Sequence, residues 1–501
     1  MAIVVPIEGC SSCTPLIQEL RARNAELSAR NVELERQSAE QQAQLAALTQ
    51  RVAALEEIIR GNSKNSNRPP SSDGPGVAKR KKKPSGRKQG AQPGHEGKAR
   101  ELLPAERVDQ VVEVRPESCE KCHAPLRGEA HSYRPHQVTE LPKVRAEVTE
   151  YRLLIVRCEH CEHKSEAPLP PEVPPGAFGP RMQATVSWAS AELRLSKSKT
   201  AQAMEDLYDV PVSVGSVINL QHATSEAVKG PVEEARQYVQ QHDGGKNLDE
   251  TSWKQGQKKA WLWVAVTGLV AVFAVRLSRG SKVAAELLGE AVRGIVVSDR
   301  FSAYNWISLS QRQLCWAHLL RDFEKAAERD GAGKSIAEAL LSAAVTMLGQ
   351  WKRVRDGTIE RSTFQTYYAV RARAQIHALL VQGRNCTDKK LAAVCRWLLA
   401  RERAMWTFAR VPGVEPTNNA AERALRHGVL WRKQCYGTQS EHGSEFVERM
   451  LTVVATLRLQ QRNVLDYLTA ACQATRLGLP VPSLLPDLDA PAAQLAATGT
   501  D

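Results

Sequence analysis

Two kinds of side chain in this sequence are spaced for chemistry, carboxylates and cysteines. Asp249 lies in NLDET, Asp299 follows the apolar run GIVVS in GIVVSDRFSAY, and Glu422 stands in PTNNAAERALR. Mg²⁺ takes hard oxygen ligands, so three carboxylates meeting at one point could hold two such ions. Two ions about 3.5–4 Å apart activate an attacking oxygen and stabilise a leaving one in phosphodiester displacement. Each acid alone also has a plain structural reading. Asp299 could form a turn at a strand end, Glu422 could close a capping box with Asn419, and Asp249 could cap whatever follows it.

The cysteines form two knuckles, Cys119-x-x-Cys122 and Cys158-x-x-Cys161. Two thiolates two residues apart grip a tetrahedral Zn²⁺ from a tight turn, and two such turns complete a structural site. The 35 residues between the pairs exceed the roughly 15–20 of a usual ribbon, and His123, His160 and His163 could each replace a cysteine. Cys10-x-x-Cys13 has no partner pair nearby and reads as incidental. Cys315-x-x-His318 could bind metal or support the wall of a site, with His318 reaching a phosphate; a satisfied core histidine is the plain alternative.

An alternation of strand and helix would have to position the carboxylates. Strands are expected at 247–251, 260–267, 270–277, 294–298 and 313–316, with a helix near 282–291. A first Asp on the opening strand, then a hairpin, a helix and a second Asp beside a later parallel strand bring both carboxylates to the sheet centre. A Glu from a following helix can reach the same point. This is a ribonuclease-H-like arrangement, and the largely helical stretch at about 320–410 reads as an insertion into it.

The remaining segments divide as follows. Within a segment 1–61, residues 16–60 carry a heptad with Leu20, Leu27, Leu34, Gln41, Leu48 and Leu55 at d and Ile17, Asn24, Asn31, Ser38, Leu45, Val52 and Ile59 at a. That pattern predicts a coiled coil and self-association. Residues 62–108 form a Pro/Gly/Ser/Lys-rich linker. Between 61 and 100 it has 11 Lys+Arg against 2 Asp+Glu, and its Lys79, Arg80, Lys81, Lys82 and Lys83 suit DNA phosphates. Residues 109–170 read as strand-rich and zinc-ribbon-like, with strand candidates at 111–114 and 144–158. Residues 171–240 read as helices with helix-turn-helix spacing and Ser213 as an N-cap. The catalytic domain would span 241–450, and 451–501 would hold a last helix and a loose tail. The fold class expected is multidomain α/β.

Composition agrees with that division. The 501 residues carry 68 Lys+Arg against 55 Asp+Glu, a formal net charge of +13, which favours a polyanionic partner such as nucleic acid. The longest apolar run, 260–275, is shorter than the ~20 residues a spanning helix needs and is broken by Thr267-Gly268. No membrane partner is expected. Eleven cysteines behind a start without signal-peptide character suggest reduced thiols in a cytoplasmic protein.

The motifs and their order resemble the TnpC transposases of the IS-sixty-six insertion-sequence family over nearly the whole chain. The resemblance is carried by GNSKNSNRPPSSDGP, GRKQGAQPGHEGKAR, the paired knuckles, DETSW, VVSDRFSAY, CWAHLLRDF and NNAAERALRHGVLWRKQCYG. It departs from the family's leading segment, because NSNR separates Lys64 from Pro69. The resemblance implies a DDE transposase with Asp249, Asp299 and Glu422 as metal-binding triad and two Mg²⁺ per site, with Mn²⁺ able to substitute. It implies DNA ends and target DNA as substrates, two small companion proteins as partners, and phosphate contact by Arg432 and Lys433, which resemble the family's Arg-Lys pair although a surface ion pair would look the same. A nuclease that cuts without joining, and a zinc-containing DNA-binding regulator without catalysis, are the alternatives.

Overall fold

The structure, a computed structural model, describes residues 14–60, 100–171, 173 and 176–486. Helix α1 (Thr14–Arg60) is uninterrupted over 47 residues, about 70 Å at 1.5 Å per residue. Neither Gly nor Pro falls inside it after Pro15. Its d-position Leu20, Leu27, Leu34, Leu48 and Leu55 are all more than half exposed.

Residues 100–171 hold little regular structure. Strands β1 (Ile155–Arg157) and β2 (Lys164–Glu166) pair antiparallel, so only the end of the 144–158 expectation is a strand. The stretch at 111–114 forms none, and Val111, Val112 and Val114 lie largely exposed. Alternating apolar residues make a strand only where a partner and a face to bury against exist, and this segment has neither.

Four helices follow: α2 (Pro180–Ala191), α3 (Lys197–Tyr208), α4 (Val214–Ala227) and α5 (Lys229–Gln241). Ser213 caps α4 as expected, its side chain accepting the N–H of Ser216 at 3.0 Å. Val186, Met204, Val217 and Leu220 form a small core among α2, α3 and α4.

The central sheet contains β3 (Gly245–Gln255), β4 (Lys258–Val266), β5 (Ala271–Arg276), β6 (Ile295–Ser298) and β7 (Arg312–Leu314), in the order β5-β4-β3-β6-β7. The first three form an antiparallel meander. Helix α6 (Ser281–Leu288) then crosses over, so that β6 joins β3 in parallel, and β7 joins β6 in parallel. β3 is longer than expected because Trp253 remains buried in the hairpin. β7 is shorter, since Trp316 already begins helix α7 (Trp316–Ala327).

The helices after β7 are α8 (Lys334–Arg355), α9 (Arg361–Thr363), α10 (Ala369–Arg384), α11 (Lys389–Leu399), α12 (Glu402–Met405) and α13 (Thr407–Arg410). Apart from α9, which buries no residue, they share with α7 a core of their own, which meets the sheet at Val297 and Leu314. Gln313 locks the two together, donating to the Met405 carbonyl at 3.1 Å and accepting the Phe408 N–H at 2.7 Å.

Helices α14 (Asn419–Cys435), α15 (Glu441–Leu459) and α16 (Val464–Arg476) then return to the sheet. α15 runs along the edge strand β5: Thr456, Thr452 and Glu448 accept the N–H groups of Ala271, Phe273 and Val275 at 3.1, 2.9 and 2.8 Å. This satisfies an edge that would otherwise invite pairing. Position 450, expected as a boundary, falls inside α15. No helix among the described residues is long and apolar enough to cross a membrane.

Candidate active site

The sheet register brings the first two acids together. β3 pairs with β6 through Gly245–Ile295, Lys246–Val296 and Asn247–Val297. Continuing two residues sets Asp299, just past the end of β6, beside Asp249 in the middle of β3. Strand alternation puts Asn247, Asp249 and Thr251 on one face and Lys246, Leu248 and Glu250 on the other.

Helix α14 is pinned to the Asp249 face at both ends. At its start, the Asn418 side chain donates to the Leu248 carbonyl at 2.9 Å and accepts from Asn247 at 3.1 Å. Near its end, Arg432 binds Thr251 Oγ1 at 3.2 Å and Ser252 Oγ at 2.7 Å. Gly428 lets the helix lie close, since a Cβ there would run into the buried Leu262. Glu422 therefore sits in the first turn of a helix fixed across β3. No capping box forms: the N-cap is Asn418, its side chain is spent on β3, and Glu422 Oε1 has no hydrogen-bond partner.

The acids act on one another. Burial, then the charges of Glu250, Asp299 and Glu422, hold the Asp249 carboxyl well above the usual carboxylate range, against the opposing hydrogen bond from the Glu250 N–H. Asp299 Oδ1 accepts the Phe301 N–H at 2.8 Å. Its backbone carbonyl accepts from the fully buried Arg312 at 2.8 Å. On the opposite face, Glu250 joins Arg279 at 2.7 Å and accepts the Tyr304 hydroxyl, tying the loop after Asp299 back to β3. Burial and the Asp299 charge push the Glu250 carboxyl up to about 7, against the Tyr304 and Arg279 contacts.

The three acids do not close on a single point. Among the described residues, the one group of three ligand-bearing side chains whose donor atoms all lie within 4.8 Å of one another is Cys315, His318 and Glu422. The Cys315 sulfur, ahead of α7, accepts the Asn418 N–H at 3.1 Å. Burial pushes this thiol up to about 12, against N–H groups of Asn418 and His318 that favour the thiolate. His318 Nδ1 lies 3.8 Å from Glu422 Oε1, and neither atom has a hydrogen-bond partner. Arg321 approaches the other Glu422 oxygen at 3.8 Å. Burial lowers the affinity of His318 for a proton, against the pull of Asp299.

This donor set fits divalent cations, consisting of crowded, mutually repelling carboxylates beside an orphaned carboxylate oxygen. A profile of the transposase IS66 family matches residues 175–446, more than half of the chain and all of this region. The chain belongs to that family. A second profile, of a family of unknown function, covers residues 12–101. One curated relative, the uncharacterized protein y4qI of Sinorhizobium fredii, is 22% identical over 247 residues, 44% of this chain. The matched stretch is 45% of that protein's length.

The other expected residues in this IS66-family chain fall outside this centre. Each knuckle is locally built: His123 N–H bonds the Cys119 carbonyl at 2.9 Å, and Glu162 N–H the Cys158 carbonyl at 2.8 Å. Backbone N–H groups of Cys122 and Lys121 favour the Cys119 thiolate, and those of Cys161 and His160 favour that of Cys158. The four sulfurs do not gather into one cluster. Arg432 spends its guanidinium on β3 and Lys433 is exposed. Lys79, Arg80, Lys81, Lys82, Lys83, Cys10 and Cys13 lie outside the described residues. Sequence reasoning missed Glu250, Tyr304, Arg312, Asn418 and Arg321, although alternation along DETSW already separates Glu250 from Asp249.

Proposed function

We propose that this chain is a DDE transposase that cuts the ends of an insertion sequence and joins them to target DNA. The supporting observation is the parallel β3–β6 register that sets Asp299 beside Asp249, with the helix of Glu422 pinned on the same face. The meander, crossover and two parallel strands are the order of a ribonuclease-H-like sheet, with α7–α13 as the insertion. In this reading the catalytic domain starts near 241 and runs through the end of α15.

Asp249, Asp299 and Glu422 would hold two Mg²⁺ ions. When bound, these supply Lewis acidity at the attacking and leaving oxygens of a phosphodiester. Asp249 and Asp299 keep their places through β3, β6 and the Arg312 contact. Asn418 and Arg432 keep α14 in register with them. Water first breaks the phosphodiester bond at the element's end, leaving a 3′-hydroxyl. That hydroxyl then attacks a target phosphodiester, and the displaced 3′-oxygen leaves with the proton balance made by solvent. No serine or tyrosine nucleophile is required.

The other segments would serve DNA. The basic linker, 62–108, would lie on phosphates. The knuckle region, 109–170, would carry Zn²⁺, and the helices of 171–240 would help read the terminal inverted repeats. The exposed leucine seam of α1 would pair with a second copy, and two small companion proteins would complete the assembly.

The test is a paired reaction on DNA carrying the element's ends plus an acceptor plasmid, with Mg²⁺ or Mn²⁺ and with companions added in parallel. Wild type should yield cut ends and joined product, and Asp299→Asn neither. Cutting without joining would turn the reading to a nuclease, and DNA binding without either reaction to a regulator.

A further inference from the structure

We propose that Cys315, His318 and Glu422 form a site for one thiophilic divalent cation of the zinc class, and that filling it withdraws Glu422 from Mg²⁺. The site stands on geometry alone; the withdrawal rests on Glu422 being the third catalytic carboxylate.

Three observations carry it. The donor atoms lie within 4.8 Å of one another. His318 is only 7% exposed, and its Nδ1 faces Glu422 Oε1 at 3.8 Å, both atoms without a hydrogen-bond partner. Two buried polar atoms left unpaired carry a desolvation cost that a bound cation would relieve. At 3.8 Å they are too far apart to bond each other, but one tetrahedral Zn²⁺ with bonds near 2.0–2.1 Å would span about 3.3 Å between them. The adjustment required is of side-chain size. Third, the Cys315 sulfur sits ahead of α7, a helix of 12 residues, with the Asn418 N–H aimed at it. That N–H supports the thiolate once a cation displaces its proton to solvent, offsetting part of the burial that otherwise keeps the thiol protonated.

The donor types choose the ion. A thiolate and an imidazole suit Zn²⁺ and its neighbours and are poor ligands for Mg²⁺. One thiolate and one carboxylate neutralise a dication, and three protein ligands leave a fourth position for water. Glu422 is the residue common to this cluster and the three-acid set. A zinc-class ion would therefore hold the enzyme inactive until the ion is removed.

Co²⁺ is the probe. The full chain with Cys119, Cys122, Cys158 and Cys161 all changed to Ser should bind one Co²⁺ through a thiolate, seen as a thiolate-to-cobalt absorption band. Cys315→Ser should abolish the band, and His318→Gln should weaken binding at least about tenfold. Asp299→Asn should leave the band in place. Should the fourfold variant misfold, zinc per chain in the protein with intact knuckles should fall by one on Cys315→Ser. Absence of the band in a folded fourfold variant, or equal zinc content in a folded Cys315→Ser chain, overturns the site. Zn²⁺ added to a Mg²⁺-supported cleavage reaction should inhibit it as the site fills, reversibly by chelator. A filled site without inhibition overturns the withdrawal. Cleavage persisting in Asp299→Asn would instead sink the catalytic reading, with the cobalt band unaffected.

Discussion

Residues 100–171 and 176–486 solve the same problem, placing metal-capable side chains, in opposite ways. In the second region packing comes first. Asn418 and Arg432 fix α14 on β3, Gln313 fixes the inserted helices on β7, and the ligands arrive already held. In the first, Val111, Val114, Tyr133 and Val148 are more than four-fifths exposed, and there is almost nothing to pack on. Its knuckles are preset locally, by left-handed His123 and Glu162 at φ near 60°, but are not gathered. Where packing assembles the ligands, a metal adds function to an existing fold. Where it does not, the metal must supply the folding free energy itself.

Metal removal should break that symmetry most strongly. Structural Zn²⁺ in small domains contributes on the order of 10 kcal/mol or more. A chelator should therefore open 100–171 to protease at sites protected in the zinc-loaded chain, while 176–486 resists as before. Limited proteolysis with mass mapping reads both at once, and equal resistance of 100–171 with and without chelator would remove the distinction.

A packed region can also hold an unfavourable charge. Lys246 is fully buried and donates to the carbonyls of Val239 and Gln240 at the end of α5, at 3.0 and 3.3 Å. Burial pulls its ammonium down from 10.5 to about 8. Between those values the unfolded chain keeps the proton and the folded chain does not, so stability rises with pH across that window. The full rise is on the order of 3 kcal/mol, and the penalty is wholly present below about pH 8. Lys246→Met should flatten the wild-type curve between pH 8 and 10.5 in urea unfolding. Parallel curves would contradict the buried-charge account.

A smaller contrast lies in two tyrosines. Tyr304→Phe leaves a buried Glu250 oxygen without its hydroxyl donor and should cost about 1–3 kcal/mol. Tyr133→Phe, at a side chain 90% exposed, should stay within about 0.5 kcal/mol. Equal losses would mean that Tyr133 is packed in solution.

The order of strands and helices around Asp249 and Asp299 was legible because the hairpin at 260–275 is apolar apart from its Thr267-Gly268 turn, Asp249 lies within a strand signal and Asp299 directly follows one. Ser213 was legible as a cap from its type and place. Arg312 was not: a charged residue in a three-residue strand carries no sign that it will be wholly buried under the Asp299 carbonyl. Nor was the meeting of Cys315 and His318 with Glu422, since about a hundred residues of helices separate them and only tertiary packing closes that loop. The 111–114 stretch misled because alternation reports a surface suited to a strand and says nothing of whether a partner is there.

Under the proposed function, Asp249, Asp299 and Glu422 bind the same catalytic cations. Mn²⁺ titration of the full chain, followed by electron paramagnetic resonance, tests it without DNA. Asp249→Asn, Asp299→Asn and Glu422→Gln should each weaken Mn²⁺ binding by about tenfold or more, with folding unchanged by circular dichroism. Wild-type Mn²⁺ affinity in any two of the three would contradict it.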